Sequence, residues 1–117
     1  MPSKQVLPPV LDEIEAAGCS MADVAVVFAL GSHRRQNKAE QHALVGDAIF
    51  NRVRCIDSNS MDSVFVGTTA AGTPVYMFRP VVQADRLICL GNIEYHYFAG
   101  EIFDTQASIY KYERPDY

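Results

Sequence analysis

Two hydrophobic patterns follow one another near the start of the chain and predict a helix and then a strand. Apolar residues recur at i, i+3, i+4 and i+7 over residues 7–14, which is typical of an amphipathic helix. Pro8 and Pro9 fit its first turn, where amides have no helical partner, and Gly18 is placed to end it in a left-handed conformation. The uninterrupted apolar run at residues 24–30 predicts a strand covered on both faces.

A capping signal predicts the next two helices. Asn37 is followed three residues later by Glu40, which resembles a capping box with asparagine as the cap. A helix is therefore expected over residues 38–45. Gly46 and Asp47 interrupt its pattern and are expected to cap a second, short helix.

Most of the remaining pattern predicts strands. Residues 54–57 favour a strand, and the β-prone segments 64–69 and 73–78 are joined by a short glycine-containing turn, which is typical of a hairpin. The apolar run at residues 87–90 predicts a second buried strand that ends at Gly91. This order predicts an α/β fold, a three-layer Rossmann-like domain with a mostly parallel sheet plus a β-hairpin.

Length and composition place the chain among soluble single-domain proteins. Its 117 residues suffice for one domain, and 49% are hydrophobic against 21% charged. The net charge of -4 argues against nucleic acid or an anionic membrane as a partner. The longest apolar run is too short to span a bilayer and the N-terminus lacks the features of a secretory signal, so a cytoplasmic location is expected.

The three cysteines carry no recognisable metal or disulfide pattern. Cys19, Cys55 and Cys89 are odd in number and more than thirty residues apart, so neither a disulfide framework nor a CxxC metal site is expected. Cys55 and Cys89 lie among apolar residues and are interpreted as small buried hydrophobic side chains. A reducing compartment follows.

Candidate chemistry lies where the two apolar strands end. His33 follows Leu30 by three residues, and His96 follows Leu90 by six. If the strands are parallel, both histidines emerge at one edge of the sheet, where open α/β sheets bind ligands. Imidazole transfers protons in both directions near neutral pH. Two of them on opposite faces of a substrate carbon would suit an acid–base racemisation.

Three other interpretations of the histidines remain open. Both loop histidines are compatible with ordinary hydrogen-bonded surface positions. His42 is interpreted as a solvated residue on a helix face. Glu94 together with His33 and His96 offers three ligands for zinc, as a small zinc hydrolase would require.

Three segments resemble the N-terminal domain of the nickel-dependent lactate racemase family. They are FALGSHR at residues 28–34, VGTTAAGTPVYMFRPV at 66–81 and GNIEYHYFAG at 91–100, and the similarity runs from about residue 7 to residue 100. The resemblance implies racemisation of 2-hydroxy acids such as lactate. It also implies a nickel-containing pyridinium mononucleotide (a nickel-pincer nucleotide), attached to a lysine, that accepts hydride from the substrate. His33 and His96 match the two histidines that take and return the hydroxyl proton.

The sequence departs from the family pattern after residue 100. The position that matches the cofactor-bearing lysine is Gln106, ten residues beyond His96, and the nickel-ligating histidine has no counterpart. The chain is therefore interpreted as a fragmentary family domain at residues 1–100, cut at both ends, with a divergent C-terminal tail at residues 101–117. Ile109, Tyr110 and Tyr112, together with Lys111 and Glu113, are expected in an edge strand or over apolar surface, which favours a homo-oligomer.

These observations predict a family domain that keeps the acid–base histidines, binds no cofactor and is inactive by itself. The alternative is a small-molecule or nucleotide-binding module without catalysis. A third possibility is an interaction or vestigial protein in which the histidines serve only packing. No native metal is expected, and the expected partner is a small 2-hydroxy acid.

Overall fold

The computed structural model describes the backbone of residues 2–31, 33–96 and 100–111, and the side chains up to residue 92. The described elements are four α-helices and six strands, with a short 3-10 helix at Met21–Asp23. The helices are α1 (Ser3–Ala16), α2 (Lys38–Val45), α3 (Asp47–Phe50) and α4 (Arg79–Val82). The strands are β1 (Val24–Phe28), β2 (Arg54–Asp57), β3 (Ser63–Thr68), β4 (Pro74–Phe78), β5 (Arg86–His96) and β6 (Gly100–Lys111).

The main sheet has the strand order β2-β1-β6-β5. β1 is parallel to β2, while β6 is antiparallel to both of its neighbours, β1 and β5. Three of the four strands therefore run in one direction. The predicted α/β class is confirmed, with β3 and β4 forming a separate antiparallel hairpin.

The tail prediction is half right. Ile109 and Tyr110 lie in a strand, as expected, but β6 is an interior strand rather than an edge strand. Val26 pairs with Ile109, and Ala25 pairs with Tyr110. The edge prediction was wrong because periodicity along a segment indicates a strand but not its neighbours. The predicted contributions of Tyr112 and Glu113 lie outside the described residues.

Burial of β1 on both faces is confirmed. All five of its residues are buried. Val24, Val26 and Phe28 point to one face and join a cluster with Leu7 and other helix residues. Ala25 and Val27 point to the other face, as the alternation of side chains along a strand requires. The continuous apolar run thus follows from having helices on one side and the α4 region on the other.

Helix α1 confirms one end of the sequence prediction and corrects the other. The amide of Gly18 donates to the carbonyl of Glu15 and that of Cys19 to the carbonyl of Ile14, which is a Schellman cap with Gly18 at φ +91°. Pro8 and Pro9, predicted in the first turn, lie inside the helix. The helix begins before them, at Ser3, so each proline removes one internal hydrogen bond.

The capping box of α2 is confirmed. The side chain of Asn37 accepts a hydrogen bond from the Glu40 amide, and the Glu40 carboxylate accepts one from the Asn37 amide, both at 2.9 Å. Gly46, at φ +83°, ends α2. The short helix predicted next is α3.

Strand β5 differs from its prediction in length and in exposure. It continues through Gly91, where the predicted strand ended, with only a shift of register against β6. Leu87 and Ile88 are 42% and 37% exposed, and Cys89, predicted to be buried, is exposed. β5 is an edge strand of the sheet, so it lacks the neighbour that buries an interior strand. Cys55 is buried, as predicted.

Candidate functional site at the carboxyl ends of β1 and β5

His33 lies in the loop between β1 and α2. Its amide donates a 3.0 Å hydrogen bond to the carbonyl of Leu30, which forms a turn directly after the strand. The residue is exposed, and its imidazole makes no hydrogen bond to a side chain that the structure describes. This histidine is therefore held by its backbone and presents its ring to solvent.

The end of β2 anchors the start of this loop. The amide of Ser58 donates to the carbonyl of Phe28 at 2.9 Å, and the Ser58 hydroxyl accepts from the amide of Leu30 at 3.0 Å. These bonds extend the parallel pairing of β1 and β2 beyond the last strand residues. The backbone that leads to His33 is fixed accordingly.

The far end of the loop is anchored by Asp57. One of its carboxylate oxygens accepts from the amide of Gln36 at 2.5 Å, and the other accepts from the side-chain amide of Gln41 at 2.9 Å. Gln41 is only 4% exposed, so this pair satisfies a buried polar group. Asp57 thus connects the loop, α2 and β2 within one hydrogen-bond network.

An ion pair on the surface connects the loop to α2. The guanidinium of Arg34 donates to both carboxylate oxygens of Glu40, at 2.5 and 2.9 Å. Mainly through this bond, and also through the Asn37 amide, the pKa of Glu40 falls to about 2. Glu40 therefore stabilises the loop at Arg34 and caps α2 at Asn37 at the same time.

His96 is the last residue of β5. Because β1 and β5 are both antiparallel to β6, they run in the same direction, and Phe28 and Leu90 both pair with Ala107. Phe28, the last residue of β1, and Leu90 in the middle of β5 therefore lie at the same level of the sheet. His33 follows Phe28 by five residues and His96 follows Leu90 by six.

Beyond that level, β5 and β6 continue as a two-stranded ribbon. Gly91 to His96 pair with residues from Thr105 back to Gly100, and six residues of strand span about 20 Å. His33 therefore follows the end of β1 in a loop, whereas His96 lies in the ribbon that extends past the level of that end. The side chain of His96, and with it the ring-to-ring geometry, lies outside the described residues.

Gln106 occupies a distinctive backbone position. Leu90 pairs with Ala107 and Gly91 pairs with Thr105, so Gln106 is the extra residue of a β-bulge. It comes directly before Ala107, which faces the end of β1. The bulge therefore lies where the sheet ends and the ribbon begins, between the strands that lead to the two histidines.

His42 is exposed to solvent as the sequence suggested, with 40% of its side chain exposed, but its ring also has two partners. Its ring stacks on Phe50, with centroids 4.6 Å apart and planes at 13°, and its Nε2 atom contacts the Asp47 carboxylate. The ring connects α2 and α3. The sequence predicted both helices but not that the ring of His42 packs between them.

Two other kinds of site come into question in the described part of the chain, a metal site and a reactive thiol at Cys55. No three His, Cys, Asp or Glu side chains are grouped there as a metal site would need. Two members of the predicted zinc set, Glu94 and His96, have side chains outside that part. Burial raises the pKa of the Cys55 thiol, which keeps it protonated and unreactive.

Sequence reasoning missed the residues that support His33. Asp57 was identified only as the end of a strand, and Gln41 as part of a polar helix face. One signal could have identified Asp57. Its carboxylate comes directly after the apolar residues of a strand, at the same edge of the sheet as the loop of His33. The pairing with Gln41 had no signal, since it depends on how α2 packs against β2.

Open α/β sheets bind ligands outside the carboxyl ends of their strands, which is where the loop of His33 follows β1. Comparison with known proteins makes the class specific. The chain belongs to the lactate racemase N-terminal domain family, which it matches over residues 1–102. This confirms the family resemblance carried by the three sequence segments.

A curated relative gives the same result. The chain is 35% identical over 103 residues to a lactate racemase from Thermoanaerobacterium thermosaccharolyticum. The matched region is 86% of this chain but only 24% of the relative, so the chain spans about a quarter of that protein's length. Among the helices of the described residues, not one is both long and apolar enough to cross a bilayer.

Proposed function

We propose that this domain binds a small 2-hydroxy acid beyond the carboxyl edge of its sheet, with His33 and His96 as the acid–base pair. Membership of the lactate racemase N-terminal domain family supports the substrate class. The observation that carries the site is the common direction and level of β1 and β5 against β6. Both histidines therefore belong to segments whose strands run in the same direction.

The chemistry required of each histidine is modest. One imidazole accepts the proton of the substrate hydroxyl, and the other donates a proton back to the same oxygen. Inversion also requires the C2 hydrogen to leave and return as hydride, which needs an acceptor other than these histidines. A catalytic base must be held in place but remain accessible. His33 satisfies both conditions, because Asp57 and Ser58 fix its loop while the residue itself is exposed.

The residues present do not fit a covalently attached nickel-pincer nucleotide. The lysine amine that the family resemblance implies is replaced by the carboxamide of Gln106, whose nitrogen is not nucleophilic. We therefore propose that the chain by itself does not racemise 2-hydroxy acids. The cofactor supplies the hydride acceptor when bound, and without it proton transfer alone does not invert C2.

The activity test compares the purified chain with two variants. D-lactate is incubated with the protein and the nickel cofactor, the enantiomers are separated by chiral chromatography, and the protein is weighed by intact mass spectrometry. The wild type is expected to give background racemisation and no covalent mass gain. Racemisation by the wild type would contradict the proposal.

The Gln106→Lys variant tests position 106 itself. A covalent mass gain in this variant, absent from the wild type and from Gln83→Lys, would support position 106 as the attachment point. Equal labelling of Gln106→Lys and Gln83→Lys would contradict that assignment. Gln83 is an exposed residue next to α4 and serves as the matched control.

Binding without catalysis is the second candidate, and the Gln106 substitution favours it. Such a module would bind 2-hydroxy acids or pyridine nucleotides at the same sheet edge. Calorimetric titration with lactate and with nicotinic acid mononucleotide separates the two ligands. Lost affinity in His33→Ala, with retained affinity in His42→Gln, would support the site, and unchanged affinity in both would contradict it.

A further inference from the structure

The segment that runs from His33 into the first turn of α2 carries three cations. They are Arg34, Arg35 and Lys38. A 2-hydroxy acid is an anion, and its carboxylate is bonded to the same carbon that bears the hydroxyl. A cation close to the imidazole of His33 would therefore bind the carboxylate while the imidazole contacts the hydroxyl. The three cations differ in whether they are available for this.

Two of the three cations already have partners within the protein. The guanidinium of Arg34 donates to both carboxylate oxygens of Glu40 and to the backbone carbonyl of the next residue. The ammonium of Lys38 donates to the side-chain oxygen of Gln41 and to a backbone carbonyl of β2, both at 3.3 Å. These two side chains hold the loop, α2 and β2 together.

Arg35 differs from both of its neighbours in sequence charge. The residue is exposed, and its guanidinium makes no hydrogen bond or ion pair with a side chain that the structure describes. Its backbone, by contrast, is held on both sides. The Arg35 carbonyl accepts from Arg34 at 3.0 Å, and the following amide, that of Gln36, donates to Asp57 at 2.5 Å. The loop thus presents a free cation on a fixed backbone.

We propose that Arg35 binds the carboxylate of the 2-hydroxy acid, an assignment that rests on the proposed function of His33. A guanidinium matches a carboxylate with two parallel N–H donors. Arg35 follows His33 by two residues, so their Cα atoms lie at most about 7 Å apart. One loop then supplies the base for the hydroxyl and the cation for the adjacent carboxylate. Because its backbone is already fixed, Arg35 loses less conformational freedom on binding.

The test compares lactate with lactamide, in which a neutral amide replaces the carboxylate. The full chain is titrated with each compound, and binding is followed by NMR at the imidazole resonances of His33. The wild type is expected to bind lactate about tenfold more tightly than lactamide. Arg35→Gln should raise the dissociation constant for lactate about tenfold and leave that for lactamide unchanged.

Two further variants separate a specific contact from a general effect of charge. Arg35→Lys keeps the charge but loses the paired donors, so its affinity for lactate should fall between those of the wild type and Arg35→Gln. Arg54→Gln makes the same change of charge at an exposed residue that begins β2, at the end of the sheet opposite the loop, because β2 is parallel to β1. It should leave both constants unchanged.

Thermal unfolding checks that the variants keep the fold. Arg35 contacts the rest of the described chain through its backbone, so the unfolding midpoint of Arg35→Gln should equal that of the wild type.

The possible failures are distinguishable. No shift of His33 with either ligand in the wild type would overturn the proposed function and the role of Arg35 together. Wild-type binding of lactate that is unchanged in Arg35→Gln would overturn the role of Arg35 alone. Equal weakening in Arg35→Gln and Arg54→Gln, or equal affinity of the wild type for lactate and lactamide, would also contradict a specific contact with the carboxylate.

Discussion

The two halves of the described chain differ sharply in how many of their apolar side chains are buried. Every buried hydrophobic residue lies between Leu7 and Cys55. Eight of the nine large exposed hydrophobic residues lie between Met61 and Ile88. The first half thus buries its apolar surface internally, whereas the second half presents apolar surface outward.

The two faces of the sheet explain this difference. Helices α1 to α3 cover one face and build a cluster of ten buried residues, while the face toward α4 has only Ala25 and Val27 fully buried. The helical face is therefore the stabilising core, whereas most of the large exposed apolar side chains belong to the second half of the described chain.

The largest expected effect comes from truncating one large side chain in each half. Leu11→Ala removes a side chain with no exposure and should lower the free energy of unfolding by about 3 kcal/mol, since it leaves a cavity. Phe65→Ala removes a ring that is 58% exposed and packs edge-on against Tyr76. Its cost should stay below about 1 kcal/mol.

Urea denaturation followed by circular dichroism measures both costs. Equal losses for Leu11→Ala and Phe65→Ala would contradict the division into a packed and an open half.

Removal of the Asp57 carboxylate should have the next largest effect. Asp57→Ala leaves the buried side-chain amide of Gln41 and the amide of Gln36 without their acceptor, at a cost of about 2 kcal/mol. Amide hydrogen exchange should also accelerate around residues 33–37. Asp85→Ala, at an exposed position between α4 and β5, is the control, and equal effects would argue against the anchoring role.

Loss of the helix cap should cost less. Asn37→Ala removes the side-chain oxygen that accepts from the Glu40 amide and should destabilise the protein by about 1 kcal/mol. Asn51→Ala changes an exposed residue at the C-terminal end of α3 and should be nearly neutral. Denaturation midpoints distinguish the two, and a neutral Asn37→Ala would mean that tertiary packing alone holds α2.

The smallest expected effect is a dependence on acid. The pKa of Glu40 is lowered from 4.5 to about 2 in the folded protein. Its contribution to stability is therefore complete above about pH 4.5 and disappears as the pH falls toward about 2. Glu40→Gln should flatten the stability profile, measured by urea denaturation at a series of pH values, in that window. An unchanged profile in this variant would contradict the role of Glu40.

How far the sequence predicts the fold depends on whether a signal is local. The capping box at Asn37 and Glu40, the glycine cap at Gly18 and the buried run of β1 are local patterns, and each was predicted correctly. The interior place of β6 and the exposure of Cys89 depend on which strands become neighbours. Nothing within either segment specifies that.

The candidate site divides in the same way. His33 follows the end of β1, as predicted from the chain alone. His96 was predicted six residues past a strand but is the last residue of β5, and the catalytic role of both stays a prediction. The supports of His33 come from distant segments, Asp57 and Gln41, and only the packed structure brings them together. The stacking of His42 on Phe50 was missed for the same reason.

The central claim is that His33 and His96 serve one 2-hydroxy-acid site, and the chain carries its own control. It has three histidines. The third, His42, stacks on Phe50 and contacts the carboxylate of Asp47, so its ring already has partners and serves as the control. Imidazole resonances assigned by His→Gln variants are followed by NMR during titration with lactate. We expect the resonances of His33 and His96 to shift with one shared dissociation constant for lactate, and the resonances of His42 to stay unchanged. Independent constants for the two rings, or no shift in either, would contradict it.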